Sequence, residues 1–443
     1  MYSCDEGSTG PSTEDIAESD ILIGLANEEL EDALQVLSNP DILEDCEEGI
    51  DCLQLINFTD VHTLYEQALS LNPNNLDAHF GIGITNLLMI TQDQDMYDSI
   101  NEWVNYFDGN EITFSNDSMF LTIDNFLSFD FSNMLNLIPI QNNMLLYDNQ
   151  NPPPELSDIQ NLLETSFLNR LTESINHFDI VLANDYTFTL SGSMQGDNSL
   201  ADLDMDNTEI YLLKTQMHLF SSIINLIIAY NFDIPHYEIE NIECQETYDG
   251  GDWYTTITNF ILTFSDYSWL NQDSDFLSIQ KENALPSVHS NLNQIYLSLT
   301  SAIEYLQNET DSQVNDMILE EDLSIDEVLS ELEDFNSLIN EDQTIEDGVT
   351  INFSNFLNSP INNLKTLIPE YEVEQVTETC LDSNDQEVTY ITASIEWTAT
   401  SWQELKSQIN DPTMGGLFPD FSVDDMLYFM DIECDDFDFG DCD

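Results

Sequence analysis

Five acidic residues between positions 197 and 209 carry the clearest metal-binding signal in the sequence. They are Asp197, Asp202, Asp204, Asp206 and Glu209. Carboxylate oxygens are the ligands that Ca²⁺ prefers, and side chains alternate along an extended backbone, so Asp202, Asp204 and Asp206 would share one side. The stretch is not an EF-hand, because Asn207 stands at the sixth loop position and Leu213 where a bidentate Glu is required. We predict a calcium site here; the alternative is a solvated loop whose acids favour the start of the following helix.

The sequence predicts no catalytic residue and no organic cofactor site. It lacks the serine nucleophile elbow, the phosphate-binding loop, the His-Glu-x-x-His zinc motif and the dinucleotide fingerprint. Acid pairs are too numerous for a glycosidase pair to be singled out. Lys214 is expected to form an internal ion pair, with Glu209 or with an acid of another helix. The histidines are scattered along the chain at His62, His79, His177, His218, His236 and His289.

The charge balance excludes several classes of partner. The chain has 87 acidic and five basic residues, a formal net charge of −82. Nucleic-acid binding and attraction to anionic membrane surfaces both require clustered Lys and Arg, which this chain lacks. Self-repulsion of this size opposes the compact state. We therefore expect salt or divalent cations to neutralise the surface, while the 42% of hydrophobic residues supply a core.

Six of the seven cysteines suggest a disulfide framework typical of an oxidising compartment. Two pairs bracket short acidic loops, and the third pair would be long-range. The predicted bridges are Cys46–Cys52, Cys434–Cys442 and Cys244–Cys380. Six cysteines allow many connectivities, so this pairing is one of several.

The seventh cysteine, Cys4, follows Ser3 and precedes a polar segment rich in Gly and Ser. This pattern resembles the processing site of bacterial lipoproteins and implies lipid attachment at Cys4. It lacks the charged and apolar leader that such sites follow. A free cysteine is the alternative.

Hydrophobic periodicity predicts a mainly α fold, with helical hairpins packed on a larger helical body and a few short β-strands. Residues 1–14 are expected to be a flexible tether and residues 15–110 a helical repeat-like region. A central helical core domain follows over 111–310. The C-terminal helical region with short strands covers 311–430, and an acidic, disulfide-closed tail covers 431–443.

The stretch 64–83 resembles the junction of two tetratricopeptide repeats. Ala68 is the small residue that lets helices approach, Asn72-Pro73-Asn74-Asn75 is the turn, and Ala78, Ile82 and Gly83 open the next helix. The tyrosine expected later in that helix is replaced by Asn86 or Leu87, and the sequence shows no third copy of the repeat. The resemblance implies one or two helical hairpins rather than a solenoid.

Two C-terminal turns resemble those of helical bacterial surface lipoproteins of uncharacterised function. They are Pro360-Ile361-Asn362-Asn363-Leu364-Lys365 and the segment from Asp411 to Pro419. The resemblance implies location and shape only, and the extreme acidity departs from that family.

These observations favour a non-enzymatic, secreted or cell-surface binding or scaffold protein, adapted to salt or divalent cations, with calcium as the candidate ion. Its expected place is extracellular or periplasmic, with an outer-membrane anchor through Cys4 as the only membrane contact. Its expected partners are a protein or further copies of itself, and cations. Two alternatives stay open: a carboxylate-dependent hydrolase acting on a neutral or cationic substrate, and a subunit of an extracellular filament or layer.

Overall fold

The computed structural model describes more than two thirds of the chain in several segments. These are residues 10–37, 57–90, 92–95, 98, 155–195, 199–233, 240–246, 257–263, 268–309, 315, 316, 318, 324–345, 348–381, 386–430, 432 and 434, with backbone only for 240–246 and 257–263. The described part is mainly α-helical, which confirms the predicted fold class.

The described N-terminal residues form three helices. They are α1 (Thr13–Leu37), α2 (Phe58–Leu71) and α3 (Leu76–Ile90). The side chain of Asn57 caps α2 by accepting a bond from the Asp60 amide. Pro73 follows the end of α2, because proline cannot continue a helix, and Asn75 accepts a bond from the Ala78 amide at the start of α3. The turn predicted at 72–75 therefore separates two helices, as the sequence indicates.

These three helices share a small core in which Ala68 and Ala78 are fully buried. The small side chain of Ala68 brings α2 close to α1, where the Ser19 hydroxyl donates to the Ala68 carbonyl over 2.9 Å. Asn75 in turn donates to that hydroxyl over 3.1 Å. The turn, α1 and α2 are thus joined by buried polar contacts.

The central part begins with one long helical stretch and ends with two helices packed along each other. Its elements are α4 (Leu156–Leu162), a π-helical turn (Leu163–Leu168), α5 (Asn169–Leu182), β1 (Phe188–Leu190), β2 (Leu203–Met205), α6 (Asn207–Ala229), β3 (Glu240–Glu246), β4 (Ile257–Thr263), a 3₁₀ turn (Ser268–Leu270) and α7 (Ala284–Asn308). The long apolar helix α6 contributes six buried residues to the largest core. Phe178 of α5 and Ile210 of α6 are completely buried there.

The C-terminal part combines short helices with antiparallel strand pairs. Its elements are α8 (Ile325–Asn340), β5 (Gln343–Thr344), β6 (Thr350–Ile351), α9 (Phe353–Asn358), a 3₁₀ turn (Leu364–Leu367), β7 (Tyr371–Leu381), β8 (Glu387–Trp397), α10 (Trp402–Gln408) and α11 (Val423–Phe429). β7 and β8 pair over eleven positions, from Tyr371 opposite Trp397 to Leu381 opposite Glu387. The alternating sequence of 387–397 predicts a strand, and β8 has those bounds. The sequence also predicts a strand over 349–353, but only β6 forms there, because Asn352 caps α9.

The buried clusters show how the predicted segments are joined. The largest core contains Phe80 from the N-terminal part, the helices of the central part and Leu357 from the C-terminal part. A separate small core surrounds Trp402, Leu405 and Met426. Residues of three predicted segments thus share one core. The predicted domain boundaries at residues 110 and 310 stay predictions.

Candidate metal centre

The N-terminus of α6 holds two acidic side chains in a local, sequence-determined arrangement. Asp206 is the N-cap, and one of its carboxylate oxygens accepts a bond from the Thr208 amide over 2.6 Å. Glu209 reaches back and accepts a bond from the Asp206 amide over 2.9 Å. This capping box satisfies two helix-terminal amides. It also fixes both carboxyl groups on the same turn.

Two further acids reach this turn from distant parts of the chain. Glu309 follows the last residue of α7 and has an extended backbone. Asp316 is held by a parallel backbone bridge to Asp204 of β2. One carboxylate oxygen from each of Asp206, Glu309 and Asp316 lies within 4.8 Å of the other two. Three chain segments therefore meet at one group of oxygens.

Glu209 adjoins this group through Asp206, and we call the four residues Asp206, Glu209, Glu309 and Asp316 the carboxylate cluster. The Glu209 side chain contacts Asp206 and lies within electrostatic range of Asp316. Glu209 is only 3% exposed, and its second oxygen, Oε1, has no hydrogen-bond partner among the described residues. A buried carboxylate oxygen without a partner is costly. An oxygen-seeking cation would remove that cost.

The pKa shifts within the cluster also favour the binding of a cation. Burial and the adjacent Glu209 carboxyl raise the pKa of Asp206 to about 6. Burial, with a contribution from Asp316, also raises the pKa of Glu209. The four lysines of the chain are engaged elsewhere, at Asp179, Glu164, Asp424 and the carbonyls of the 271–274 loop. A proton or a bound cation would relieve the repulsion within the cluster.

Tyr305 borders the cluster one helical turn before Glu309. Its hydroxyl donates to the Asp185 carboxylate over 2.9 Å. Burial, this bond and the charges of Asp206 and Glu309 together raise the pKa of Tyr305. The tyrosine stays protonated and leaves the cluster oxygens to other ligands.

The predicted calcium ligands divide into two groups. Asp206 and Glu209 belong to the cluster. Asp204 instead accepts a bond from the Thr189 hydroxyl over 2.7 Å, and Asp202 accepts one from the Gly192 amide over 3.1 Å. Asp197 lies outside the described residues. Glu309 and Asp316 were missed, because no local pattern links them to a turn so far away in the sequence.

The other residues singled out from the sequence have structural partners. Lys214 pairs with Asp179 of α5 over 2.5 Å, which is the expected ion pair with another helix. His218 shares a hydrogen bond with the side chain of Asn291 over 2.9 Å. Nε2 of His289 lies 3.2 Å from the side-chain amide oxygen of Asn340.

Most of the predicted disulfide and lipid sites lie outside the described side chains. These are Cys4, Cys46, Cys52, Cys244 and Cys442. Cys380 and Cys434 are the two cysteines whose side chains are described. Strand β3, which carries Cys244, contacts β7, which carries Cys380. The three predicted pairings stay predictions, as does lipid attachment.

Helix α6 is the one described helix whose length and apolar composition could span a membrane, and half of its most apolar stretch is buried inside the protein. Core helices meet the same criterion. Comparison of the whole chain with protein-family models, with curated proteins and with solved structures gave no match.

Proposed function

We propose that this protein is a non-enzymatic, secreted or cell-surface binding or scaffold protein whose carboxylate cluster binds Ca²⁺. The observation that carries the proposal is the meeting of Asp206, Glu309 and Asp316 within 4.8 Å, beside the buried, unpartnered oxygen of Glu209. The donors are all carboxylates, without sulfur or imidazole, so a hard cation fits best.

The position of the cluster explains what such an ion would do for the protein. Its ligands come from the start of α6, the end of α7 and the segment around Asp316. A bound ion would join these three segments and offset up to four like charges. In a chain with a net charge of −82, this neutralisation stabilises the compact state.

The proposed setting rests on the sequence. An extracellular or periplasmic location supplies millimolar Ca²⁺ or salt and suits the predicted bridges, and Cys4 would be the point of lipid attachment. The α2–α3 hairpin, which resembles tetratricopeptide repeats, would present a protein-binding surface to a partner or to neighbouring copies. A filament or layer subunit would use the same cations between copies.

The decisive experiment is a thermal-unfolding titration of chelator-treated protein with CaCl₂ and, separately, with NaCl at matched ionic strength. At a hundredfold excess over its dissociation constant, Ca²⁺ should stabilise the protein by about 2.7 kcal/mol beyond the effect of NaCl. Glu309→Gln should abolish that excess. Glu333→Gln is the matched control, because it removes one charge from an exposed position of α8. If CaCl₂ and NaCl stabilise the protein equally, the effect is general screening of charge, and the proposal is refuted.

One observation favours a second function, the carboxylate-dependent hydrolase. Asp206, with its raised pKa of about 6, is near the range in which a carboxyl group serves as general acid, and a second carboxylate adjoins it. A third variant, Asp206→Asn, separates the two functions. Loss of a hydrolytic activity in Asp206→Asn, without any Ca²⁺-dependent stabilisation of the parent protein, would favour the enzyme.

A further inference from the structure

Helix α3 connects the N-terminal helices to the central core by unusually close approaches on two sides. A Cβ atom at Gly81 would lie 2.4 Å from the Tyr65 ring of α2, and one at Gly83 would lie 2.7 Å from the Phe178 ring of α5. The Ser174 hydroxyl of α5 donates to the Gly83 carbonyl over 2.9 Å. The α3–α5 contact is therefore tight and intolerant of displacement.

Two histidines face each other across this contact. Nδ1 of His79, on α3, lies 2.7 Å from Nδ1 of His177, on α5, and the ring centres are 5.0 Å apart. His79 is 5% exposed, and His177 is half-buried. Nε2 of His79 also lies 3.1 Å from the Pro73 carbonyl oxygen.

These contacts fix the positions of the protons. A carbonyl oxygen only accepts, so His79 Nε2 carries a hydrogen and donates to Pro73. In the neutral ring Nδ1 of His79 is then an acceptor. His177 must donate from its own Nδ1 to complete the bond. In the neutral pair, both hydrogen bonds form in only one combination of the two tautomers.

Adding a proton to His177 is unfavourable in the closed junction. His177 takes the proton at Nε2, so its Nδ1–H bond to His79 stays in place. The protonated ring then carries a full charge in a partly buried position between α3 and α5. Burial, followed by the nearby rings of His79 and His62, lowers the pKa of His177 to about 4.

Within the described part of the chain, no carboxylate forms a direct ion pair with either ring of the pair. On α2, His62 and Glu66 face the junction, and the Glu66 carboxylate lies 3.7 Å from His62. On α5, Arg170 and Glu173 act on His62 with opposite signs. On α3, Asp77 accepts a bond from the Tyr186 hydroxyl. These acids therefore face His62 and Tyr186.

We propose that the His79–His177 pair is a pH-sensitive latch that holds α3 against α5 in its neutral form and releases the contact on acidification. Opening would expose apolar side chains of α3 that pack on the central core, Leu76, Phe80, Ile84 and Leu87 among them. The proposal is independent of the calcium site.

The size of the effect follows from proton linkage. A ring whose pKa is about 4 in the closed junction and 6.5 in the open one favours opening by about 30-fold at pH 5, relative to alkaline solution. The effect begins below pH 6.5 and is complete near pH 4. Acid also protonates the many other carboxylates of this chain, which reduces their repulsion and stabilises the compact state. Because this general effect opposes the opening of the α3–α5 contact, the opening must be measured locally.

Hydrogen exchange of the full-length protein in 0.5 M NaCl, corrected for intrinsic rates, provides the local measurement. Between pH 7.5 and pH 5, amides of α3 and α5 should lose protection by about 30-fold relative to those of α6 and α7. His177→Asn keeps a donor near the Nδ1 position but cannot titrate, and it should abolish that difference. His218→Asn, at a buried histidine of α6 whose pKa burial also lowers, should leave it intact.

Nitrogen NMR of the parent protein labelled only at histidine provides a test that needs no variant. It should show the Nε2–H tautomer for His79, the Nδ1–H tautomer for His177 and titration of His177 below pH 5. Titration of His177 near pH 6.5 would overturn the proposal. So would a loss of protection at α3 and α5 that is equal in the parent protein and in His177→Asn.

Discussion

The backbone of Asp204 pairs with that of Asp316 in an isolated parallel bridge, although the two residues are far apart in the sequence. The bridge brings Asp316 beside Asp206, two residues after Asp204, and thereby assembles a group of acids that no single helix or loop contains. A backbone contact thus positions a side-chain cluster whose members repel one another in the absence of a cation.

Neutralising Asp206 should stabilise the cation-free protein. Asp206→Asn keeps a good helix cap but removes a charge whose folded pKa is raised to about 6. The gain in unfolding free energy should be about 1–3 kcal/mol at pH 7. Because the folded pKa exceeds the unfolded value, the penalty on the parent protein is fully present above pH 6 and is relieved as the pH falls towards 4. Urea unfolding of both proteins in EDTA at pH 7 and pH 4 measures this difference.

The control for this prediction is Asp20→Asn, which removes an exposed acid of α1. It should change stability by less than about 0.5 kcal/mol at either pH. If it stabilises the protein as much as Asp206→Asn, the gain comes from total charge and not from the cluster.

Glycine at position 83 should be required by helix packing. A Cβ in Gly83→Ala would lie 2.7 Å from the Phe178 ring, which is completely buried and has no room to retreat. We expect a loss of about 1–3 kcal/mol. Gly24→Ala is the matched control on α1, where a Cβ would meet nothing within 4 Å. There, the better helix propensity of alanine should raise stability by up to about 1 kcal/mol. Thermal or urea unfolding compares the two, and destabilisation by both would contradict the steric explanation.

Lys365 should act as a structural lysine. Its buried ammonium group donates to the Asn271 carbonyl over 2.5 Å, to the Ser274 carbonyl over 2.9 Å and to the Ser274 hydroxyl. Lys365→Met would leave these acceptors unpaired and should cost about 2–4 kcal/mol. Lys406→Met, which removes an ion pair with the exposed Asp424, should cost no more than about 1 kcal/mol. Comparable losses in the two variants would show that the buried contacts are not decisive.

Asp411 should hold the turn that begins at its own position. One carboxylate oxygen accepts from the amide and hydroxyl of Thr413, and the other accepts from the Gly415 amide over 2.6 Å. Burial opposes ionisation of Asp411, but these bonds outweigh it and lower its pKa. Asp411→Ala should therefore cost about 1–3 kcal/mol at pH 7.

The pH dependence supplies the check on Asp411. Its stabilising contribution is present above the ordinary aspartate pKa and is lost as the pH falls through the lowered value. The destabilisation caused by Asp411→Ala, measured by urea unfolding, should therefore shrink below pH 4. A constant difference at all pH values would mean that the loss is steric and not electrostatic.

Several features of this fold follow from neighbouring residues and were accessible in the sequence. The turn at 72–75 ends α2 because Pro73 cannot continue a helix and Asn75 caps the next one. The alternating residues of 387–397 form β8 at the predicted bounds. Asp206 and Glu209 were recognised as adjacent acids at a helix start, because a capping box is a local pattern.

The relationships that matter for function are decided by the tertiary structure. Glu309 and Asp316 reach Asp206 only because α6 and α7 pack along each other and a bridge fixes the segment beyond α7. Likewise, His79 meets His177 only where α3 docks on α5. Periodicity tells which side of a helix or strand a residue occupies, but it carries no information about which distant element lies opposite. That choice depends on the shapes of whole packed surfaces, to which residues such as Gly83 and Phe178 contribute together.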